Sequence, residues 1–116
     1  MYAANIEVAV RRNTAYRRVV FTDDDQQLVL MSLATGEDIP IETHDGTQLF
    51  RIESGSGSAT VGKKKMKLKN GVLLIVPPNT KHYIKNSSRQ TPLKLYSVYS
   101  PPQHPPSTVH QRQPHD

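Results

Sequence analysis

The sequence predicts an all-β protein built as a sandwich or barrel, and three observations carry that reading. Short stretches of period-two alternation recur along the chain, turn-forming residues punctuate them roughly every eight to twelve residues, and no stretch sustains a helical period. The length of 116 residues bounds the chain to one domain with one core.

Taken in order, Ile6, Glu7, Val8, Ala9 and Val10 alternate as a short first strand, and Val19, Val20 and Phe21 form the next after an arginine-rich turn. Asp23, Asp24 and Asp25 mark a tight exposed connection. Leu28 to Leu33 is apolar on both faces apart from Ser32, the pattern of a strand buried on both sides. Gly36, Glu37 and Asp38 end it, and Pro40 restricts its neighbours to extended or edge geometry. From Gln48 to Glu53 the residues alternate, with Gln48, Phe50 and Ile52 on one face and Leu49, Arg51 and Glu53 on the other. Gly55, Ser56 and Gly57 form a turn, and Thr60 and Val61 lead through Gly62 to a lysine-rich strand. Asn70 with Gly71 predicts a type I′ hairpin turn, followed by a buried strand over Val72 to Val76 that Pro77 and Pro78 close. His82, Ile84 and Asn86 then alternate with Tyr83 and Lys85, and Leu93 to Tyr99 is the last strand. We divide the chain into a barrel over residues 1–100 and a proline- and histidine-rich tail over 101–116, extended and partly packed on the barrel.

Composition narrows the chemistry. Cysteine is absent, so disulfides and thiolate metal sites are excluded and any metal must rest on nitrogen and oxygen ligands. No apolar run is long enough to span a bilayer and the first residues lack the pattern of a secretory signal, which predicts an intracellular, cytoplasmic protein. The net charge of +5 gathers in Arg11, Arg12, Arg17 and Arg18 and in Lys63, Lys64, Lys65, Lys67 and Lys69. Four of those lysines recur at every second residue, the pattern of a solvated strand face. Few aromatics accompany them to stack on bases, so a nucleic-acid partner is disfavoured against that plainer account. No serine or cysteine nucleophile and no phosphate-cradling glycine loop stands out.

The candidate site lies within one strand and its turn, from Glu42 to Gln48. Glu42 and His44 point the same way in an extended strand, and Gln48 shares a face with Phe50 and Ile52, where a polar group needs a partner. With a distant His82 they make a nitrogen and oxygen set able to hold a metal; a hydrogen-bonded core is the alternative. Tyr96 and Tyr99 sit on opposite faces, so at most one reaches the cavity. Arg51 points outward, and His104, His110 and His115 read as exposed or tail-packing residues.

Two gapped motifs resemble those of the small single-domain cupins. The first of that family runs glycine, five residues, His-x-His, three or four residues, glutamate, six residues, glycine; here the positions are Gly36, Glu42, His44, Gln48 and Gly55. The second runs glycine, five residues, proline, any residue, glycine, two residues, histidine, three residues, asparagine; here they are Gly71, Pro77, Asn79, His82 and Asn86. Further likeness lies in Gln27 to Leu33, Leu49 to Glu53, Pro92 to Tyr96 and the tail, covering roughly residues 6–112.

The resemblance implies a conical β-barrel, a double-stranded β-helix of jelly-roll type, often paired as a homodimer, with one divalent metal inside. Carried over position by position, the ligands are Glu42, His44, Gln48 and His82, with glutamate in place of the first histidine and glutamine in place of the glutamate. Zinc, manganese, iron and nickel all suit such ligands. Glu42 is also a candidate general base, its pKa raised by burial. Three functions fit these residues: a metal-dependent isomerase, epimerase or dioxygenase acting on a sugar or carboxylate; a metal-free module binding a small molecule without turnover; and a basic interaction domain using the lysine face.

Overall fold

The computed structural model describes residues 1–114, so the expectation for His115 lies outside the described residues. The chain folds into two antiparallel sheets closed face to face around one core, the barrel-like double-stranded β-helix expected. The larger sheet has the order β10-β1-β2-β9-β4-β7 and the smaller β3-β8-β5-β6. Their strands are β1 (Arg17–Thr22), β2 (Gln27–Leu33), β3 (Asp38–Glu42), β4 (Thr47–Ser54), β5 (Gly57–Val61), β6 (Lys64–Leu68), β7 (Leu73–Val76), β8 (His82–Asn86), β9 (Leu93–Ser100) and β10 (Val109–His110). Alternate residues of both sheets meet inside: Val19, Val29, Met31, Phe50, Ile52, Leu74, Leu93 and Leu95 from the larger sheet face Ile39, Ala59, Leu68 and Ile84 from the smaller. Among the described residues no helix is long and apolar enough to cross a membrane.

The first expected strand is instead a helix, α1 (Ile6–Arg12). Asn5 caps it by accepting a hydrogen bond from the Val8 amide, Glu7 lies in its first turn, and Arg11 and Arg12 lie in its last, where the helix dipole favours them. The alternation of Ile6, Val8 and Val10 is compatible with either period; in the helix Val10 is buried against the larger sheet while Val8 is 41% exposed. Lys94 Nζ donates to the carbonyls of Arg11 and Asn13 and ties off the helix end.

The Asn70-Gly71 turn does not form a hairpin. Gly71 has a positive φ of 94°, but β6 and β7 belong to different sheets, because Leu74 and Val76 pair along β4 in the larger sheet. The hairpin lies one turn earlier, where Gly62 and Lys63 join β5 to β6. Gly62 has φ 60°, as the first central residue of a type II′ turn requires. Nor is Val72 to Val76 buried throughout: β7 is an edge strand whose Leu73 and Ile75 face out, Ile75 65% exposed. The lysine strand β6 is the edge of the smaller sheet, wet on both sides except at Leu68. Lysines along such an edge oppose strand-to-strand aggregation. Pro40 likewise sits on an edge strand, β3.

Glu53 departs from its expected exposure. The register shifts between Ile52 and Ser54, and Glu53 is buried beside Arg51, with its carbonyl accepting from Arg11 of the helix. The tail is more tightly held than its composition predicts. The buried side chain of Gln27 accepts from the Gln103 and His104 amides and donates to the His104 carbonyl and the Thr22 hydroxyl. Further along, β10 pairs with β1, and Gln113 bonds Asp38 and Glu37, so the tail stitches the larger sheet to the start of β3. Gly46 lets the tail begin there: a Cβ on it would collide with the Ser100 carbonyl and Pro101.

Candidate metal centre

The structure brings Glu42, His44 and His82 together, with ligand atoms within 4.8 Å of one another. Glu42 ends β3, His82 begins β8 and is its cross-strand partner, and His44 lies in the loop to β4. Glu42 Oε1 is 3.6 Å from His44 Nε2 and 3.7 Å from His82 Nε2, too far for good hydrogen bonds. Those three atoms are buried without a hydrogen-bond partner, and so is Gln48 Oε1. Each of the four positions named from the motifs therefore carries one orphaned polar atom. Gln48 lies on the inner wall beside Tyr99, its cross-strand partner, whose ring meets the His44 ring edge-on at 5.4 Å.

The surroundings orient these atoms. His82 Nδ1 lies 3.1 Å from the Thr80 carbonyl, which favours a proton on Nδ1 and leaves the Nε2 lone pair inward. Gln48 Nε2 donates to the Ser97 hydroxyl at 2.8 Å, which turns its oxygen the other way. His44 is placed from behind: its carbonyl accepts from the Asn79 amide at 2.7 Å. Asn79 has φ 60°, a conformation asparagine tolerates where the second motif has glycine. The motif residue Asn86 is a clamp, donating to the Leu33 and Thr91 carbonyls and accepting from the Ser88 amide.

Electrostatics correct the expected raised pKa of Glu42. Burial does push its carboxyl up, but the His82 and His44 imidazoles outweigh that, and the net shift is downward. His82 moves the other way: burial lowers it, but the Glu42 carboxylate and the Thr80 carbonyl leave it above the ordinary value. Glu42 is thus held ionised, which suits a ligand better than a general base working near neutrality.

Of the two tyrosines, Tyr99 is the one that reaches inside; burial raises its pKa, and its hydroxyl lies 3.3 Å from His104 Nε2. That tail histidine is half-buried, and burial, with Arg17 nearby, lowers its pKa to about 4. Sequence reasoning missed Ser97, Thr80 and Arg17. The first follows from the inward alternation of Leu93, Leu95, Ser97 and Tyr99; a backbone carbonyl such as that of Thr80 leaves no mark in a sequence. Two cavities approach the triad: one of about 200 Å³ is lined by His82 with Ile41, Thr60 and Tyr83, the other of about 260 Å³ by Glu42 with Arg17, Tyr16 and Gln113.

A double-stranded β-helix with a histidine and carboxylate cluster between its sheets defines the class of barrel proteins whose pocket chemistry varies on a constant frame. The chain belongs to the cupin family: the cupin domain matches residues 29–99. It is 44% identical over 118 residues to the uncharacterized protein L612 of Acanthamoeba polyphaga mimivirus, covering 98% of this chain and 74% of that protein. It is 40% identical to the uncharacterized protein YrkC of Bacillus subtilis, over 95% of this chain but only 62% of that longer protein. The crystal structure of BH2720 from Bacillus halodurans superposes with a TM-score of 0.92 at 38% identity, over 96% of this chain and 89% of that one.

Proposed function

We propose that Glu42, His44, His82 and Gln48 hold one divalent transition-metal ion and that the barrel binds or transforms a small polar molecule, a sugar or a carboxylate, beside it. The observation that carries this reading is the set of four buried, partnerless atoms at these positions. Buried polar atoms without partners are costly, and a cation among the clustered Glu42, His44 and His82 atoms would satisfy those three, with the Gln48 oxygen as the proposed fourth donor. Two imidazoles, one carboxylate and one amide are a hard-to-borderline donor set suited to zinc, manganese, iron or nickel. When bound, the ion supplies Lewis acidity toward a ligand oxygen. The chain's own part is to aim the donors: Thr80 holds the His82 ring, Ser97 holds the Gln48 amide, and Phe50 and Tyr99 wall the imidazoles with apolar surface.

A specific observation favours the second reading, a metal-free pocket. The opposite pKa shifts of Glu42 and His82 fit a protonated imidazole facing an ionised carboxylate in place of a cation. Elemental analysis of the purified protein separates the two. About one metal per chain in the parent and none in the His44→Ala, His82→Ala double variant is expected. Absence of metal from the parent, even after zinc, manganese, iron and nickel are added, would leave the metal-free pocket.

The proposal extends to a homodimer. Across the outer face of the larger sheet, Phe21, Leu28, Val98, Leu49 and Ile75 form one apolar row, a residue from each of five neighbouring strands in register. Ile75 is exposed and the other four are half-buried, and an apolar row of this breadth favours association. Sedimentation equilibrium is expected to give a dimer for the parent and a monomer for Ile75→Asp; a monomeric parent would remove the dimer from the proposal.

A further inference from the structure

We propose that Arg17 is the anchor for the carboxylate of a small anionic ligand, bound in the seam between the two sheets next to Glu42. The proposal rests on the metal-site reading for the ion beside the carboxylate, but the anchor itself stands on separate observations.

Arg17 is on β1, two residues from the core residue Val19 and therefore on the inward face of the larger sheet. An arginine there must be explained. Its neighbours leave it incompletely used: Nη1 bonds His110 Nδ1 at 2.9 Å, the guanidinium lies 5.3 Å from the Tyr16 ring centroid, and Nε is buried with no partner. Among the described residues no carboxylate lies within ion-pair distance of it. The engaged Nη1 leaves the edge formed by Nε and Nη2, whose two parallel N–H groups match the two oxygens of a carboxylate.

That arginine opens on a space. The cavity of about 260 Å³ is lined by Arg17, Tyr16, Pro40, Ile41, Glu42, Gln113 and Pro114. It therefore joins an unsatisfied guanidinium to a residue of the metal triad. Arg17 is near enough for its charge to lower Glu42, Tyr99 and His104 together. Its pose is fixed from the tail side: accepting from Nη1 requires a neutral His110 with its proton on Nε2, and β10 holds that ring in place by pairing Arg17 with His110. The volume suits a molecule of a few carbons carrying a carboxylate at one end and a hydroxyl or carbonyl at the other.

The test uses the full chain labelled with nitrogen-15 at arginine, titrated with glycolate, with ethylene glycol as neutral control and inorganic phosphate as a competing anion. Glycolate is expected to shift the Arg17 Nε–H signal, ethylene glycol is not, and phosphate is expected to act more weakly. Calorimetry is expected to show glycolate binding weakened about tenfold or more in Arg17→Gln, with metal content unchanged. Arg17→Lys, which keeps the charge and loses the fork, is expected to recover only part of the affinity and serves if Arg17→Gln does not fold. Glycolate binding unchanged in both variants, no glycolate response in the parent, or a preference for phosphate would each overturn the proposal. If the parent holds no metal while the Arg17 signal still responds, the metal reading fails and the carboxylate anchor stands.

Discussion

Phe50→Ala is expected to lower the free energy of unfolding by about 3–5 kcal/mol, because the ring is wholly excluded from water and its removal leaves a cavity that rigid strands cannot close. Small domains have only about 5–15 kcal/mol in hand, so this one substitution removes a large share of the margin. Phe50 lies in mid-strand, between Leu74 of β7 and Ser97 of β9 in register, and its ring centroid is 5.9 Å from that of His82. The loss should thus be felt in the site as well as in the core. Phe50→Leu, which fills most of the space, is expected to cost much less and to leave the His82 ring in place. Urea unfolding of the three proteins measures the first effect, and metal content of the folded variants the second. A cost under about 1 kcal/mol for Phe50→Ala would mean that the sheets do not close on this ring as described.

That core was legible because it depends on a local rule. Gln48, Phe50 and Ile52 alternate inward as written in the sequence, and the same period places Tyr99 inside and Tyr96 out. The positions of Glu42, His44 and His82 were legible because gapped motifs encode where strands end, and the Glu42 to His82 pairing brings those ends together. Local rules failed where partners decide. Ile6 to Val10 satisfies a strand's alternation, yet Asn5 as a cap and two terminal arginines make it a helix. Asn70-Gly71 turns the chain, but whether the flanking strands pair depends on which sheet Leu74 and Val76 find. The raised pKa expected for Glu42 counted burial alone and omitted the two imidazoles, whose nearness no spacing rule reveals. The sequence shows Arg17 only as one member of a basic group: its inward direction follows from Val19, but its missing partner is a property of three-dimensional packing.

In the protein freed of metal by a chelator the Glu42–His82 pair is expected to contribute most stability in mildly acidic solution, where His104, lowered to about 4 by burial, works against it, and zinc is expected to add more stability as the pH rises. Glu42 is lowered from an ordinary value of 4.5, so the stability it contributes is present above 4.5 and is lost as pH falls through its folded value. His82 is raised from 6.5, so its contribution is full below 6.5 and is lost as pH rises through its folded value. The two windows overlap between 4.5 and 6.5, where a protonated His82 faces an ionised Glu42. A cation at this site needs the same Nε2 lone pair that the proton occupies, so metal and proton compete and metal affinity climbs as His82 deprotonates. Thermal melting with and without zinc, at about pH 5.5 and about pH 8, reads the competition directly. The rise in melting temperature on adding zinc is expected to be small at the lower pH and several degrees larger at the higher. Equal rises at both would show that zinc does not displace the His82 proton and binds, if at all, away from this triad.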